Sequence, residues 1–533
     1  MSAPTRLSRY LRTLRVCKAI RTHQSQRNFA NVVGEAGPVI PFSALLHVAP
    51  FQFDWVDKKI EVQGFVKTIR KHGSISMVNL RDGSNRADVQ LILKREQVKG
   101  LSIGAAIKAN GVWQASKSAS KKPPFELVVE DLHLQGENDA ETCPIQPKHQ
   151  PAKTLRSALH LRPRREEFAA ILNLRSDLIT LLHKVMNTEN FVYVHTPIIT
   201  SSDCEGAGEV FEVLPKDARS GQKSEEEFFR APKYLTVSAQ LHLEAMAAAL
   251  EKVWTLSPTF RAEKSDTSRH LSEFYMLETE IAFVNSLDPL MDQLEHLIKR
   301  MVRQVLYTPR NHDLIIRRAE RLESAGADPR EYVKSSELLK RWKGLCISKW
   351  PRVTYRQAID VLQAAESKGE KFQNSVKWES GLSADHEKFL AAELGEGGPI
   401  FITDYPKEQK PFYMLPTPSG DGSTVACFDL IVPELCEIAG GSLREHRLDP
   451  LVKNMQEKGL LDHDIFDKKN EDGSNNDEFP ETNLDWYMDL RMYGSVPHGG
   501  YGLGFDRLLA YFTGVSNVRD VAAFPRWYGK CDA

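Results

Sequence analysis

Residues 260–274 read FRAEKSDTSRHLSEF, with Arg261, Glu263, Lys264, Arg269 and His270 set between two apolar stretches, 253–256 and 274–279, that read as strands. A strand–loop–strand with arginine near both ends of its loop suits a polyphosphate, because the planar guanidinium gives paired hydrogen bonds to phosphate oxygens. An ordinary charged hairpin is the alternative, but Arg-x-Glu followed by Arg269-His270-Leu271 is a specific pattern. Asp429 and Glu437 stand eight residues apart, with Gly440-Gly441 after them. Two carboxylates on strands around a loop can hold Mg2+ ions that bridge phosphates. The glycine pair lets a substrate approach the backbone closely. Alone this pairing is a weak signal, since acidic pairs are common on surfaces. The third constellation, Gly500-Tyr501-Gly502-Leu503-Gly504-Phe505-Asp506-Arg507, precedes an apolar helix at 508–513. No strand-GxGxxG-helix order and no GxxxxGK[ST] motif accompanies it, so glycines that admit a flat base, with Arg507 laid over it, fit better than a phosphate cradle.

These groups need a scaffold. Residues 59–134 read as five short strands, with Asp82-Gly83 as a hairpin turn. That spacing predicts a small barrel of the oligonucleotide-binding type, within a domain over 40–137. Its 116–124 loop carries Lys117, Lys121 and Lys122, which suits either phosphate contact or plain solvation. Residues 138–160, with Pro144, Pro147 and Pro151, read as a hinge. The rest, 161–533, mixes strands and helices and is predicted to be α+β. In it Phe168, Ile171, Leu174, Leu178 and Leu181 mark one helix face, and 191–194 form a strand ending before Pro197. The acidic, Asn-rich stretch 467–483 reads as a flexible insertion.

The chain of 533 residues is too long for one core and fits two or three domains. No apolar run reaches the ~18 residues of a membrane span, and seven scattered cysteines without a CxxC pair argue against zinc or a disulfide framework. The net charge is −1, yet residues 1–34 hold seven basic residues and no acid. An Arg-rich, acid-free N-terminus reads as a mitochondrial transit peptide, and so predicts the mitochondrial matrix; a basic RNA-holding arm is the alternative. Any nucleic acid must otherwise be held by local patches.

Taken in order, the three constellations resemble motifs 2 and 3 of the class II aminoacyl-tRNA synthetases with the metal-binding segment between them. The 191–197 strand and its preceding helix resemble the dimer-forming motif 1. The barrel is similar to the anticodon-binding domain of subclass IIb, which serves aspartate, asparagine and lysine. HLRPR (160–164), TPIITSSDCEGAGEVFEV (196–213), LTVSAQLHLE (235–244), EIAGGSLREHRL (437–448) and GLGFDRLLAYFTGVSNVRDVAAFPR (502–526) resemble the asparaginyl branch, and the likeness covers about 58–533.

The resemblance implies a homodimer that uses ATP, asparagine and tRNA(Asn), with Mg2+, and no membrane or DNA partner. It implies that Arg261 contacts the α-phosphate, Glu263 the adenine amino group, and Arg269 and His270 the outer phosphates, with Leu271 and Gly504 also at the nucleotide. Phe274 and Arg507 would sandwich adenine, and Asp429 and Glu437 would hold the metal. Glu205 and Gln240 match the holders of the α-amino group. Arg444 matches the arginine at the side-chain carbonyl, and Glu273 is placed to accept from the amide. In the barrel, Gln90 matches a glutamine that reads the central anticodon base, with a solvent-facing glutamine as the other reading. Met77 stands where the family usually offers an aromatic.

Asparagine rather than aspartate is expected on one residue. Aspartyl enzymes follow QLY with a lysine that pairs with the substrate carboxylate; here Gln240-Leu241-His242 is followed by Leu243. A buried carboxylate beside Leu243 would be poorly compensated. The eight-residue spacing from Asp429 to Glu437 also resembles the asparaginyl pattern. The alternatives are an aspartyl or dual-specificity enzyme, a non-charging tRNA-binding paralogue, and a free-asparagine synthetase that would need no barrel.

Overall fold

In the computed structural model the described residues are 40, 45, 55–83, 88–116, 125–201, 209–215, 228–346, 349–418, 420–461 and 483–532. The 1–34 segment, almost all of the 467–483 stretch, the lysines of the 116–124 loop and Glu205 lie outside them. The chain divides into two compact units between Lys148 and His149, inside the stretch read as a hinge. The end of that stretch is not a linker: Arg156 donates a forked pair to Asp520 in the second unit (2.9 and 2.5 Å).

The first unit is a closed barrel of five strands, β1 Lys59–His72, β2 Ile75–Arg81, β3 Val89–Lys94, β4 Ala106–Ala115 and β5 Phe125–Gly136, in the order β1-β2-β3-β5-β4. Period-two alternation accounts for its two faces. Val78, Leu80, Val89, Leu91 and Leu93 point inward around the buried Trp113. Met77, Asn79, Gln90 and Ile92 alternate with them and are half-buried on the outside. β3 and β5 pair in parallel, which closes the barrel.

The second unit is built on an eight-stranded sheet. Its strands are β6 Val192–Tyr193, β9 Lys252–Phe260, β10 Glu273–Ala282, β11 Arg352–Thr354, β12 Ile400–Thr403, β13 Cys427–Val432, β14 Cys436–Leu443 and β15 His498–Gly504. Their order is β11-β12-β13-β14-β15-β10-β9-β6, antiparallel except for the outermost pairings β11–β12 and β9–β6. A separate hairpin pairs β7 Ile199–Thr200 with β8 Tyr234–Leu235. The helix predicted from the 168–181 stripe is α1, Glu166–Thr188; it buries Leu182, while Leu181 only packs at the margin. With α3 (Asp288–Tyr307), α4 (Pro309–Ser324), α5 (Ser335–Leu345) and α10 (Phe505–Thr513) it covers one face of the sheet in a single apolar core that includes Trp254, Leu277, Ile281, Phe428 and Leu503. The strand expected at 191–194 is only two residues long, and those expected at 253–256 and 274–279 extend to nine and ten residues. The opposite face of the central strands carries the polar constellations.

Candidate active site

A cavity of about 590 Å3 lies against that second face, within the range of small-molecule sites. β9 and β10 bring in Arg261, Glu263, Arg269, His270, Leu271 and Phe274 from their connecting loop; β13 and β14 bring in Asp429 and Glu437; Gly504 and Arg507 come from the β15–α10 junction. Gln240, Leu243 and Arg444 line the same cavity. The structure therefore gathers every predicted nucleotide, metal and amino-acid residue of this unit except Glu205, which is not described, and Glu273.

The misplacement of Glu273 follows from the pleat. The even-numbered Phe274, Met276 and Glu278 of β10 line the cavity, joined by Thr279, whereas the odd-numbered Leu277 and Ile281 enter the helix-covered core. Glu273 belongs to the odd set and is exposed at the strand's start, opposite Phe260. The carboxylate that meets Arg444 is Glu280. It accepts from Nε and Nη2 of Arg444 at 3.2 and 2.9 Å, with neither side chain more than 4% exposed. Burial opposes the arginine's charge, but Glu280 holds its pKa well above the ordinary value. Glu278 also escaped the sequence reading. Its carboxylate accepts from Ser238 Oγ and the Ala239 N–H, fixing the start of α2 (Gln240–Leu250) beside the cavity. The signal for both was two acids, with only Thr279 between them, in the mostly apolar run 274–283.

Beneath Arg444 lies Glu244 of α2. It accepts from Gln240 Nε2 (3.0 Å), Tyr487 Oη (2.7 Å) and Arg491 Nη2 (2.7 Å), with His498 Nε2 at 3.0 Å. Burial would push its pKa up; Arg491 and His498 outweigh that and hold it down. One N–H of the Gln240 amide is held by Glu244, and its carbonyl is the acceptor it can offer to a donor such as an ammonium group.

In the nucleotide part, Glu263 lies 3.4 Å from His270 Nε2 and 3.9 Å from Arg261, and the Arg261 guanidinium stands 5.8 Å from the centre of the Phe274 ring. Partial burial, with Arg507, Arg269 and Arg261 nearby, lowers the His270 pKa against the pull of Glu263. Arg507 donates to the Glu437 carbonyl at 2.9 Å, tying α10 to β14. Asp429 and Glu437 converge: a Cβ on Gly440 would stand 3.2 Å from an oxygen of the first and 3.5 Å from one of the second. Two hard carboxylate oxygens facing one open glycine suit Mg2+. At Gly441 a Cβ would come within 2.5 Å of the Phe428 ring, so that position admits only glycine.

Two further groups border this pair. Lys410 donates to both oxygens of Asp429. Glu387, on α7 (Ala384–Glu393), accepts from the Glu437 N–H at 3.3 Å, and burial together with Glu437 and Asp429 pushes its pKa up to about 7. A carboxyl whose folded pKa exceeds its unfolded value stabilises the fold below the unfolded pKa, and that contribution is lost as pH rises towards 7. Glu387→Gln should therefore gain thermal stability over the parent progressively between pH 5 and 8, by roughly 1.4 kcal/mol per pH unit at most; melting curves across that range test it.

In the barrel, Gln90 and Met77 share the outer face. Gln90 Nε2 donates to Glu126 at 3.0 Å, across the parallel β3–β5 register, which commits one of its two N–H donors and leaves its carbonyl and second N–H to meet a base. Glu126 was not anticipated.

The comparisons with known proteins bear on the family. Residues 152–528 match the family described as tRNA synthetases class II (D, K and N), and residues 60–134 match the OB-fold nucleic acid binding domain. An asparagine--tRNA ligase of Clostridium tetani is 38% identical over 492 residues, spanning 90% of this chain and 96% of that protein. One from a Nostoc species is 37% identical, spanning 88% and 95%. Among solved structures, Pyrococcus horikoshii asparaginyl-tRNA synthetase complexed with asparaginyl-adenylate superposes with a TM-score of 0.71 at 30% identity, covering 90% of this chain and 96% of that one. With the class II profile matched over most of the chain, and with relatives of this identity covered nearly end to end, the chain belongs to the asparagine--tRNA ligase family of class II synthetases.

Proposed function

We propose that the protein activates asparagine with ATP and transfers it to tRNA(Asn). The observation that carries the choice of amino acid is the cavity lining: Arg444 is already neutralised by the buried Glu280, and the aliphatic Leu243 lines the same cavity. A neutral amide can hydrogen-bond to such a pair without bringing a net charge; an aspartate side chain would bring a buried charge to a guanidinium whose own charge Glu280 already meets.

In the first step an oxygen of the asparagine carboxylate attacks the α-phosphorus of ATP, and the bond to pyrophosphate breaks. The nucleophile is ionised at neutral pH, so no base is needed. Gln240 orients the α-ammonium, Arg444 the side chain, Phe274 and Arg507 the adenine, and Arg269 and His270 the outer phosphates. Arg261 stabilises the charge that develops on the α-phosphoryl oxygens. Asp429 and Glu437 are the residues to hold Mg2+, which when bound neutralises phosphate charge. In the second step the terminal ribose 3′-hydroxyl attacks the acyl carbon and AMP leaves.

Pyrophosphate exchange with each amino acid tests the assignment: exchange with asparagine is expected, and a preference for aspartate would overturn it. Leu243→Lys should depress asparagine-dependent exchange by about 10- to 100-fold, since an ammonium in this wall must be desolvated without a partner.

The barrel is proposed to read the anticodon through Gln90 and Met77. Gln90→Ala should reduce tRNA charging by about tenfold, the worth of one good hydrogen bond, with pyrophosphate exchange untouched. Charging equal to the parent's would remove Gln90 from this role. A homodimer is supported by the resemblance to motif 1 and by β6, an edge strand whose Val192 is exposed; sedimentation equilibrium tests it. Work in the mitochondrial matrix is supported by the basic, acid-free residues 1–34, and imaging of a reporter fused behind them tests it.

A further inference from the structure

Asp429 is not a free carboxylate. Lys410, in the connection between β12 and β13, donates from Nζ to both of its oxygens, at 2.9 and 3.2 Å. Both side chains are more than four-fifths buried, and the ammonium also sits 4.0 Å from the centre of the Tyr405 ring. Glu437, the other carboxylate facing Gly440, has no ion-pair partner among the described residues. The two acids are thus unequal, one neutralised from within the protein and one not.

We infer that Lys410 is the resident counter-ion of the metal site, which keeps Asp429 neutralised until nucleotide arrives and so prevents the free enzyme from capturing a divalent cation by itself. The inference rests on reading Asp429 and Glu437 as the cation pair. A dication entering the nucleotide-free cavity meets an ammonium bonded to one of its two carboxylates, so of the pair facing Gly440 only Glu437 is offered to it, and one carboxylate is a poor match for an ion that gives up its water reluctantly. Phosphate oxygens of ATP supply the missing ligands and charge, so metal and nucleotide enter as one unit. The tethered cation also answers a problem of the nucleotide-free state, in which two half-buried carboxylates facing one another would otherwise repel.

The test is Mn2+ binding followed by electron paramagnetic resonance, without any turnover. Nucleotide-free parent protein is expected to bind Mn2+ weakly, whereas Lys410→Met should bind one ion at least tenfold more tightly, and Lys410→Met with Asp429→Asn should lose that ion. Lys410→Arg, which keeps the charge, should behave as the parent. Equal Mn2+ affinity in parent and Lys410→Met would overturn the inference, as would tight binding by the nucleotide-free parent. If the methionine variant does not fold, Lys410→Gln, which can still donate to Asp429, must show the same tightening at smaller amplitude. A separate arm uses the parent with an ATP analogue carrying a non-cleavable α–β bridge. Mn2+ held there and lost in Glu437→Gln upholds the cation pair whatever Lys410 does; no Glu437-dependent ion would dismiss the pair, and the inference with it.

Discussion

Arg444→Met should lose asparagine-dependent pyrophosphate exchange by a thousandfold or more and, separately, destabilise the second unit by about 3–5 kcal/mol, the usual result of stripping one partner from a buried ion pair. The second effect does not concern substrate at all. Glu280 is fully buried, and without the guanidinium its carboxylate loses both of the hydrogen bonds that Arg444 gives it. Joining Glu280→Gln to Arg444→Met removes the stranded acid, so the double variant should recover most of the stability in urea denaturation and none of the exchange activity. That separation divides holding the fold from holding the ligand. An Arg444→Met protein as stable as its parent, or a double variant that regained exchange, would contradict the account of the cavity lining.

The same region also shows how a cluster of ligand-like side chains can be something other than a metal site. Glu244, Glu280 and His498 bring donor atoms within 4.8 Å of one another. Their lone pairs and protons are already committed: Glu280 to Arg444, and Glu244 to Gln240, Tyr487, Arg491 and His498. A dication there would have to displace two arginines. The arrangement is a buried ion-pair network that sets the orientation of two side chains lining the cavity, Gln240 and Arg444.

What could be read from sequence was what is local. The arginines of the 260–274 loop, the acids flanking a hairpin and the glycines before α10 announce themselves by spacing, because each set sits on one pair of consecutive elements, two on strand–loop–strand units and one on the β15–α10 junction. The barrel strands were legible because inward and outward residues alternate without interruption from Val89 to Lys94. Pairings across distant segments were not legible. Lys410 reaches Asp429 from 19 residues away, and Arg491 reaches Glu244 across 247, through packing that no spacing rule encodes. Glu273 was chosen for its place in the motif, yet a one-residue shift along a strand turns a side chain to the other face. Counting the pleat from Leu277, an obvious core residue, would have pointed to Glu278 and Glu280 instead.

Arg261→Ala should reduce pyrophosphate exchange by about 100- to 1000-fold while leaving asparagine binding close to that of the parent, and Arg261→Lys should recover only part of the loss. In this reaction the protein has no proton to move in the first step, since the attacking carboxylate is already charged. Its contribution lies in alignment and in countering the charge that builds on the α-phosphoryl oxygens. Removal of one pre-aimed donor of this kind from a water-poor site costs about 2.7–4 kcal/mol in the transition state. Arg261 is pre-aimed: its backbone N–H is tied to the Ser272 carbonyl at 3.0 Å, and its guanidinium stands between the Phe274 ring and Glu263. Lysine keeps the charge but not the planar fork, so it can neutralise an oxygen without fixing two of them. Because Arg444 and Gln240 reach the cavity from other strands and helices, calorimetric titration with asparagine should report an affinity near the parent's in both variants. A loss of asparagine binding equal to the loss of exchange would mean that Arg261 shapes the ground-state pocket, and that the stabilisation of phosphoryl charge must come from Arg269, His270 or the metal carboxylates instead.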